Sequence, residues 1–198
     1  MDVRTAVIPV AGFGTRFLPV TRSVPKVLVP VVDTPPIQYA VEEAVDAGID
    51  RIVLVISPGH ESVAGYFDSS PELEEALERR GDRLSLEEMR RISGLADVEY
   101  VYQDRPLGLG HAVWCARELV GDEPFAVVLA DDLVMSDVPC LRQMVDAHGE
   151  CGGNMVAVMD VAPEHTDRYG ILVVGEEKDA LVEVRGLVEK PAPADAPS

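Results

Sequence analysis

Hydrophobic and polar positions follow two patterns along this chain. Short apolar runs recur at Arg4–Val10, Arg51–Ile56 (RIVLVI), Val98–Gln103 and Phe125–Ala130 (FAVVLA). Continuous apolar runs of this length, bounded by glycine, proline or serine, predict strands buried on both faces. Between them the apolar residues fall at helical spacing. Ile37, Ala40, Val41, Ala44 and Val45 mark one face of a helix over Ile37–Ala47 that stops at Gly48. The same reading predicts helices over His60–Phe67, Gly108–Leu119 and Val138–His148, a further strand at Met155–Val161, and a pair of extended segments at Gly170–Val174 and Leu181–Val188. Residues 71–92 (PELEEALERR, then LSLEEMRRI) are charge-rich and predict two solvated surface helices with i,i+4 ion pairs, split at Gly81-Asp82.

Strands alternating with helices imply an α/β fold: a Rossmann-like, mixed but mainly parallel sheet with helices on both faces. A chain of 198 residues suits a single domain spanning 1–198, with 71–92 as an excursion from it. Sheets of this kind bind ligands at the carboxyl ends of their strands. A glycine turn follows the first strand and Asp131 follows the fourth, so both belong to strand ends that can face one crevice.

Charge narrows the choice of ligand. The net charge is −18, which argues against nucleic acid and anionic membrane surfaces as partners. Residues 1–30 are the exception, with Arg4, Arg16, Arg22 and Lys26 against Asp2 alone, a local charge of +3. No apolar run approaches the roughly 18 residues of a membrane span, and the N-terminus lacks a signal-peptide layout. Cys115, Cys140 and Cys151 are widely spaced and form no CxxC pair, so they read as reduced, mostly buried thiols of a cytoplasmic protein.

The candidate chemistry starts where the first strand ends, in Ala11-Gly12-Phe13-Gly14-Thr15-Arg16-Phe17-Leu18-Pro19, followed ten residues after the arginine by Lys26. Glycines beyond a buried strand let backbone N–H groups approach a ligand, and Arg16 and Lys26 add cations; together they suit a polyphosphate. A dinucleotide fingerprint would need glycine where Phe17 stands and a helix where Pro19 interrupts, and the P-loop pattern GxxxxGK[ST] is absent. Taken alone, Asp131 is a metal ligand or a loop acid, Gln103 a base-recognising amide or an ordinary strand-end residue, and His111 a capping or packing histidine. Glu189-Lys190 alone reads as a solvated edge.

The glycine-turn segment, with Pro25-Lys26, Pro30-Val31-Val32-Asp33 and Ile37-Gln38-Tyr39, resembles the signature of the sugar-nucleotide pyrophosphorylases. Gln103 with Pro106-Leu107-Gly108-Leu109-Gly110-His111-Ala112-Val113, then Tyr169-Gly170 and Val188-Glu189-Lys190-Pro191, resembles in particular the bacterial UTP–glucose-1-phosphate uridylyltransferase family. This chain departs from the family pattern in Arg22, in Lys26-Val27-Leu28, and in Ala130 where proline usually precedes the aspartate.

The resemblance implies a nucleotide-diphospho-sugar transferase fold and transfer of a uridylyl group from UTP to glucose 1-phosphate, giving UDP-glucose and pyrophosphate with Mg²⁺. It implies that Ala11, Gly12, Gly14 and Thr15 cradle the nucleotide, that Arg16 and Lys26 stabilise pyrophosphate, and that Asp131 holds the metal. Gln103 and Gly108 then meet the uracil, while Gly170, Glu189 and Lys190 meet the sugar phosphate. A thymidylyl- or other sugar-1-phosphate nucleotidyltransferase, and a nucleotide-binding fragment without turnover, are the competing readings. Because the chain stops at Ser198, soon after a strand-like run, it is expected to lack the family's C-terminal portion; the full-length form is expected to be a homo-oligomer.

Overall fold

The first strand lies inside the sheet, and the chain winds outward from it in both directions. The computed structural model describes residues 2–198, which fall into two compact units, Met1–Met155 and Val156–Ser198. In the first, β1 (Thr5–Pro9) leads through three single-turn 3₁₀ helices to α1 (Pro36–Asp46), then β2 (Arg51–Ile56) and α2 (Ser62–Gly65). The helices α3 (Pro71–Arg80) and α4 (Arg83–Ser93) precede β3 (Asp97–Tyr102), α5 (Leu109–Cys115), α6 (Arg117–Val120), β4 (Phe125–Val127) and α7 (Cys140–Cys151). All four strands are parallel, in the order β3-β2-β1-β4.

The two central strands, β1 and β2, are apolar almost throughout because each of their faces meets helices. Ala6, Ile8, Ile52, Leu54 and Ile56 join Ile37, Val41 and Ala44 of α1, Val63 of α2 and Leu141 of α7 in one core. Val7, Val53 and Val55 point the other way, against Ala112, Ala116 and Val120 of α5 and α6. Adjacent residues of one strand thus feed opposite cores, as the two-residue side-chain period requires.

The sequence-predicted elements stand with four differences. The helix expected over Gly108–Leu119 breaks at Ala116 (φ −81°, ψ −5°) into α5 and α6. The strand expected over Phe125–Ala130 keeps its ladder only to Val127, where pairing with Val7 of β1 ends. Met155–Val161, expected as a strand, forms none: Val156, Val158 and Met159 are exposed, and apolar content makes a strand only where another strand offers a ladder. The helix expected over His60–Phe67 is a single turn, Ser62–Gly65. The helical excursion is present with an i,i+4 pair as expected, Arg79 with Glu75 at 3.7 Å, and Arg90 of α4 also pairs across with Glu74 and Glu78 of α3, at 2.8 and 2.7 Å. Asp82 caps α4 by accepting from the Ser85 N–H at 3.2 Å. The three cysteines are free, but none is buried as expected: Cys115 and Cys140 are partly exposed and Cys151 is exposed.

The second unit contains the 3₁₀ helix Pro163–Arg168 and the antiparallel hairpin β5 (Gly170–Lys178) and β6 (Leu181–Glu189). No helix among the described residues is long and apolar enough to cross a membrane.

Candidate active site

In the order β3-β2-β1-β4 the chain leaves β1 toward β2 and returns on the other side as β4. The carboxyl ends of β1 and β4 therefore flank a switch point, where α/β sheets open a crevice. A cleft there, about 210 Å³ in volume, is lined by Gly12, Gly14, Thr15, Arg16, Phe17 and Lys26 from the turn after β1, and by Ala130 and Asp131 after β4.

The turn is held from below. The Val10 N–H donates to the Val55 carbonyl at 2.8 Å, and the buried Ser57 hydroxyl at the end of β2 donates to the Ala11 carbonyl at 2.7 Å. Gly14 adopts φ 60°, ψ 34°, and its carbonyl accepts from the Thr21 hydroxyl at 2.9 Å. A Cβ on Gly14 would stand 2.9 Å from the Lys26 Cβ and 3.1 Å from the Thr21 Cγ2, so only glycine lets the turn close over the following loop. At Gly12 a Cβ would meet nothing within 4 Å. Among the described residues, the backbone N–H groups from Ala11 to Arg16 donate to no other group of the protein. Six consecutive N–H groups without a protein acceptor, four of them on residues that line the cleft with Lys26, suit an anion.

Lys26 and Asp131 meet across the cleft, with Nζ 2.5 Å from Oδ2. The Lys26 ammonium, by hydrogen bond and charge, holds the Asp131 carboxyl below the usual carboxylate range, with partial burial opposing and the Arg16 charge assisting. Nζ also lies 5.4 Å above the Phe17 ring, a cation–π contact that braces the lysine from the turn. Among the described residues no group of three or more His, Cys, Asp or Glu is arranged to hold a metal. Asp131, the one acid lining the cleft, fits a cation that takes a single carboxylate and completes its shell with phosphate oxygens and water, the usual habit of Mg²⁺. Asp132 does not line the cleft; its N–H donates to the Leu129 carbonyl.

Gln103 continues the row of strand ends. Its N–H donates to the Ile56 carbonyl at 2.8 Å, beside Ser57, and only 7% of its surface is exposed. The registers Pro9↔Val55 and Val55↔Val101 set Ala11, Ser57 and Gln103 side by side. With strands about 4.8 Å apart, Gln103 is roughly 10 Å from the glycine turn. Its Nε2 lies 3.1 Å from the Gly108 carbonyl and 3.0 Å from His111 Nδ1. Gly108, at φ 98°, turns the loop into α5.

In the second unit Gly170 and Glu189 are register partners. The Lys190 Nζ lies 3.2 Å from the Glu189 Oε1, with both side chains exposed. The Lys190 N–H donates to the Tyr169 carbonyl at 2.9 Å, and Lys190 adopts φ 50°, a left-handed conformation uncommon for a residue with a Cβ. Gly170, Glu189 and Lys190 are thus adjacent, as are Ala11 to Arg16, Lys26 and Asp131 in the first unit. Sequence reasoning missed Ser57, Thr21 and Phe17. Ser57 alone carried a signal, a small hydroxyl residue at the end of a buried strand; the roles of the other two depend on contacts across the loop.

The Nucleotidyl transferase family profile matches residues 5–198. The UTP–glucose-1-phosphate uridylyltransferase of Bacillus subtilis (strain 168) is 47% identical over 196 residues, covering 99% of this chain and 67% of that protein. The UTP-bound UGPase from Acinetobacter baumannii superposes with a TM-score of 0.93 at 41% identity, over 99% of this chain and 70% of that one. A UDP-glucose pyrophosphorylase complexed with UDP-glucose superposes with a TM-score of 0.86 at 39% identity, over 99% and 72%. This chain spans about two thirds of the length of these relatives. A matching profile over almost every residue, a relative 47% identical and a solved structure superposing at a TM-score of 0.93 place the chain in the nucleotidyl transferase family, among the UTP–glucose-1-phosphate uridylyltransferases.

Proposed function

We propose that this chain transfers a uridylyl group from UTP to glucose 1-phosphate, releasing pyrophosphate and forming UDP-glucose. The single observation that carries the reading is the spacing of two complementary parts along one row of strand ends. N–H groups without a protein acceptor stand with Arg16 and Lys26 beyond β1, and a buried amide, Gln103, stands two strands away beyond β3, about 10 Å by strand spacing.

In the reaction an oxygen of the sugar 1-phosphate attacks the α-phosphorus of UTP. The bond from that phosphorus to the α–β bridging oxygen breaks, and pyrophosphate departs with the bonding electrons. Such transfers need in-line positioning and charge neutralisation more than covalent help. The backbone of Gly12, Gly14 and Thr15 holds the phosphates, the Ala11-Gly12 backbone completes the base pocket, and Arg16 and Lys26 take up the charge that collects on the leaving group. Asp131 would hold Mg²⁺, which when bound supplies further charge neutralisation to the phosphates. For Lys26 and Asp131 this requires the 2.5 Å ion pair to open, the ammonium turning to phosphate and the carboxylate to the cation. Gln103 and Gly108 receive the uracil. Lys190 pairs with the sugar phosphate, and Glu189, beside Gly170, accepts hydrogen bonds from sugar hydroxyls; the left-handed backbone at Lys190 supports a positioned rather than an incidental lysine.

The test is a nucleotide panel. With glucose 1-phosphate and Mg²⁺, UTP is expected to give stoichiometric pyrophosphate and UDP-glucose at a higher kcat/KM than dTTP. Preference for dTTP would move the chain to the thymidylyl reading, and UTP binding without product would make it a nucleotide-binding module.

A further inference from the structure

Gln103 does not offer a free amide. An amide nitrogen has two hydrogens, and both are directed at protein acceptors, the Gly108 carbonyl at 3.1 Å and His111 Nδ1 at 3.0 Å. A backbone carbonyl can only accept, so the Gly108 contact settles which end of the amide faces the loop. Facing an N–H, His111 Nδ1 must also accept, which puts the imidazole proton on Nε2. What remains of the side chain for a ligand is Oε1, an acceptor. His111 reaches this position because it stands in the first turn of α5, just beyond Gly108.

We infer that His111 is a positioning residue for base selection: by accepting from Gln103 Nε2, it keeps Oε1 turned toward the nucleotide as an acceptor, and so favours pyrimidines that carry a proton on N3. Uracil and thymine have that proton; cytosine presents a bare N3 acceptor, which would face Oε1 without a hydrogen between them. This inference rests on Gln103 meeting the base and deepens that reading. Gly108 supplies one of the two restraints on the amide and His111 the other. Without His111 the amide keeps a single restraint and can rotate its N–H₂ toward the ligand, which is the orientation cytosine needs.

The experiment measures UTP, dTTP and CTP affinities by calorimetry, together with KM and kcat for UTP, for the parent chain and for His111→Leu, His111→Asn and Gln103→Leu. Loss of one buried hydrogen bond predicts that His111→Leu weakens UTP and dTTP in step by about tenfold, leaves CTP unchanged or improved, and acts on KM rather than kcat. His111→Asn, whose Oδ1 takes the place of Nδ1 as an acceptor, is expected to recover most of the UTP-to-CTP preference. An unchanged ratio in His111→Leu, an equal loss for all three nucleotides, or no recovery with asparagine would overturn the role of His111. If Gln103→Leu leaves the UTP-to-CTP ratio intact, the placement of Gln103 at the base falls first, and the two failures are thereby told apart.

Discussion

The two glycines of the turn do different work. At Gly14 the left-handed backbone and the 2.9 Å approach to Lys26 Cβ make glycine a requirement of folding, whereas the space above Gly12 is empty and open to a ligand. Gly14→Ala is expected to destabilise the fold by about 1–3 kcal/mol, through backbone strain and overpacking, seen as a lower Tm. Gly12→Ala is expected to leave Tm within a degree or two while cutting UTP affinity at least tenfold, since the added methyl meets no protein atom within 4 Å and would meet the phosphates in the proposed site. Asp131 gives the same kind of separation. Its pair with Lys26 is half exposed on the carboxylate side and contributes under about 1 kcal/mol. Asp131→Asn should therefore melt nearly as the parent does, yet lose at least a hundredfold in pyrophosphate release at saturating Mg²⁺.

At the scale of elements, the site is a row of strand ends. Ser57 and Gln103 directly follow β2 and β3, Ala11 lies two residues beyond β1 and Asp131 four beyond β4, and parallel pairing brings those strand ends to one edge. The Ser57 hydroxyl joins two of them through the Ala11 carbonyl. Ser57→Ala leaves that buried carbonyl without its donor, a cost of about 1–3 kcal/mol, and frees the start of the glycine turn. The expected result is a lower Tm together with a several-fold rise in KM for UTP. In the charged α3–α4 pair only Leu86 is buried, so its helices are held by Arg90 and by the Asp82 cap more than by a core.

Across the whole molecule, the proposed nucleotide residues all belong to Met1–Met155 and the proposed sugar-phosphate residues to Val156–Ser198. That division predicts separable losses. Lys190→Gly relieves a left-handed backbone at φ 50° while removing the ammonium. Tm should hold or rise, by the equivalent of up to about 1 kcal/mol. KM for glucose 1-phosphate should rise at least tenfold, with the Kd for UTP within twofold of the parent. Equal losses for both substrates would remove Lys190 from the sugar phosphate.

The sequence by itself determined the alternating strands and helices, the parallel sheet and the glycine turn, because these depend on local period and on residues whose backbone preferences act within a few positions. Arg51–Ile56 is a strand end to end, and the charged excursion splits at Gly81-Asp82 as its pattern requires. Motif spacing also marked Gly12, Lys26, Gln103 and Asp131 as separate candidates. Only the tertiary structure decided that Met155–Val161 pairs with no strand, that Arg90 bonds across to α3, and that Lys26 and Asp131, 105 positions apart, share one cleft. Those outcomes depend on which surfaces the winding of the sheet brings together, and no local pattern carries that information. The polyphosphate turn was legible in a dozen residues. Its unoccupied N–H groups, and the Ser57 hydroxyl that holds them in place, exist only once β1 and β2 lie side by side.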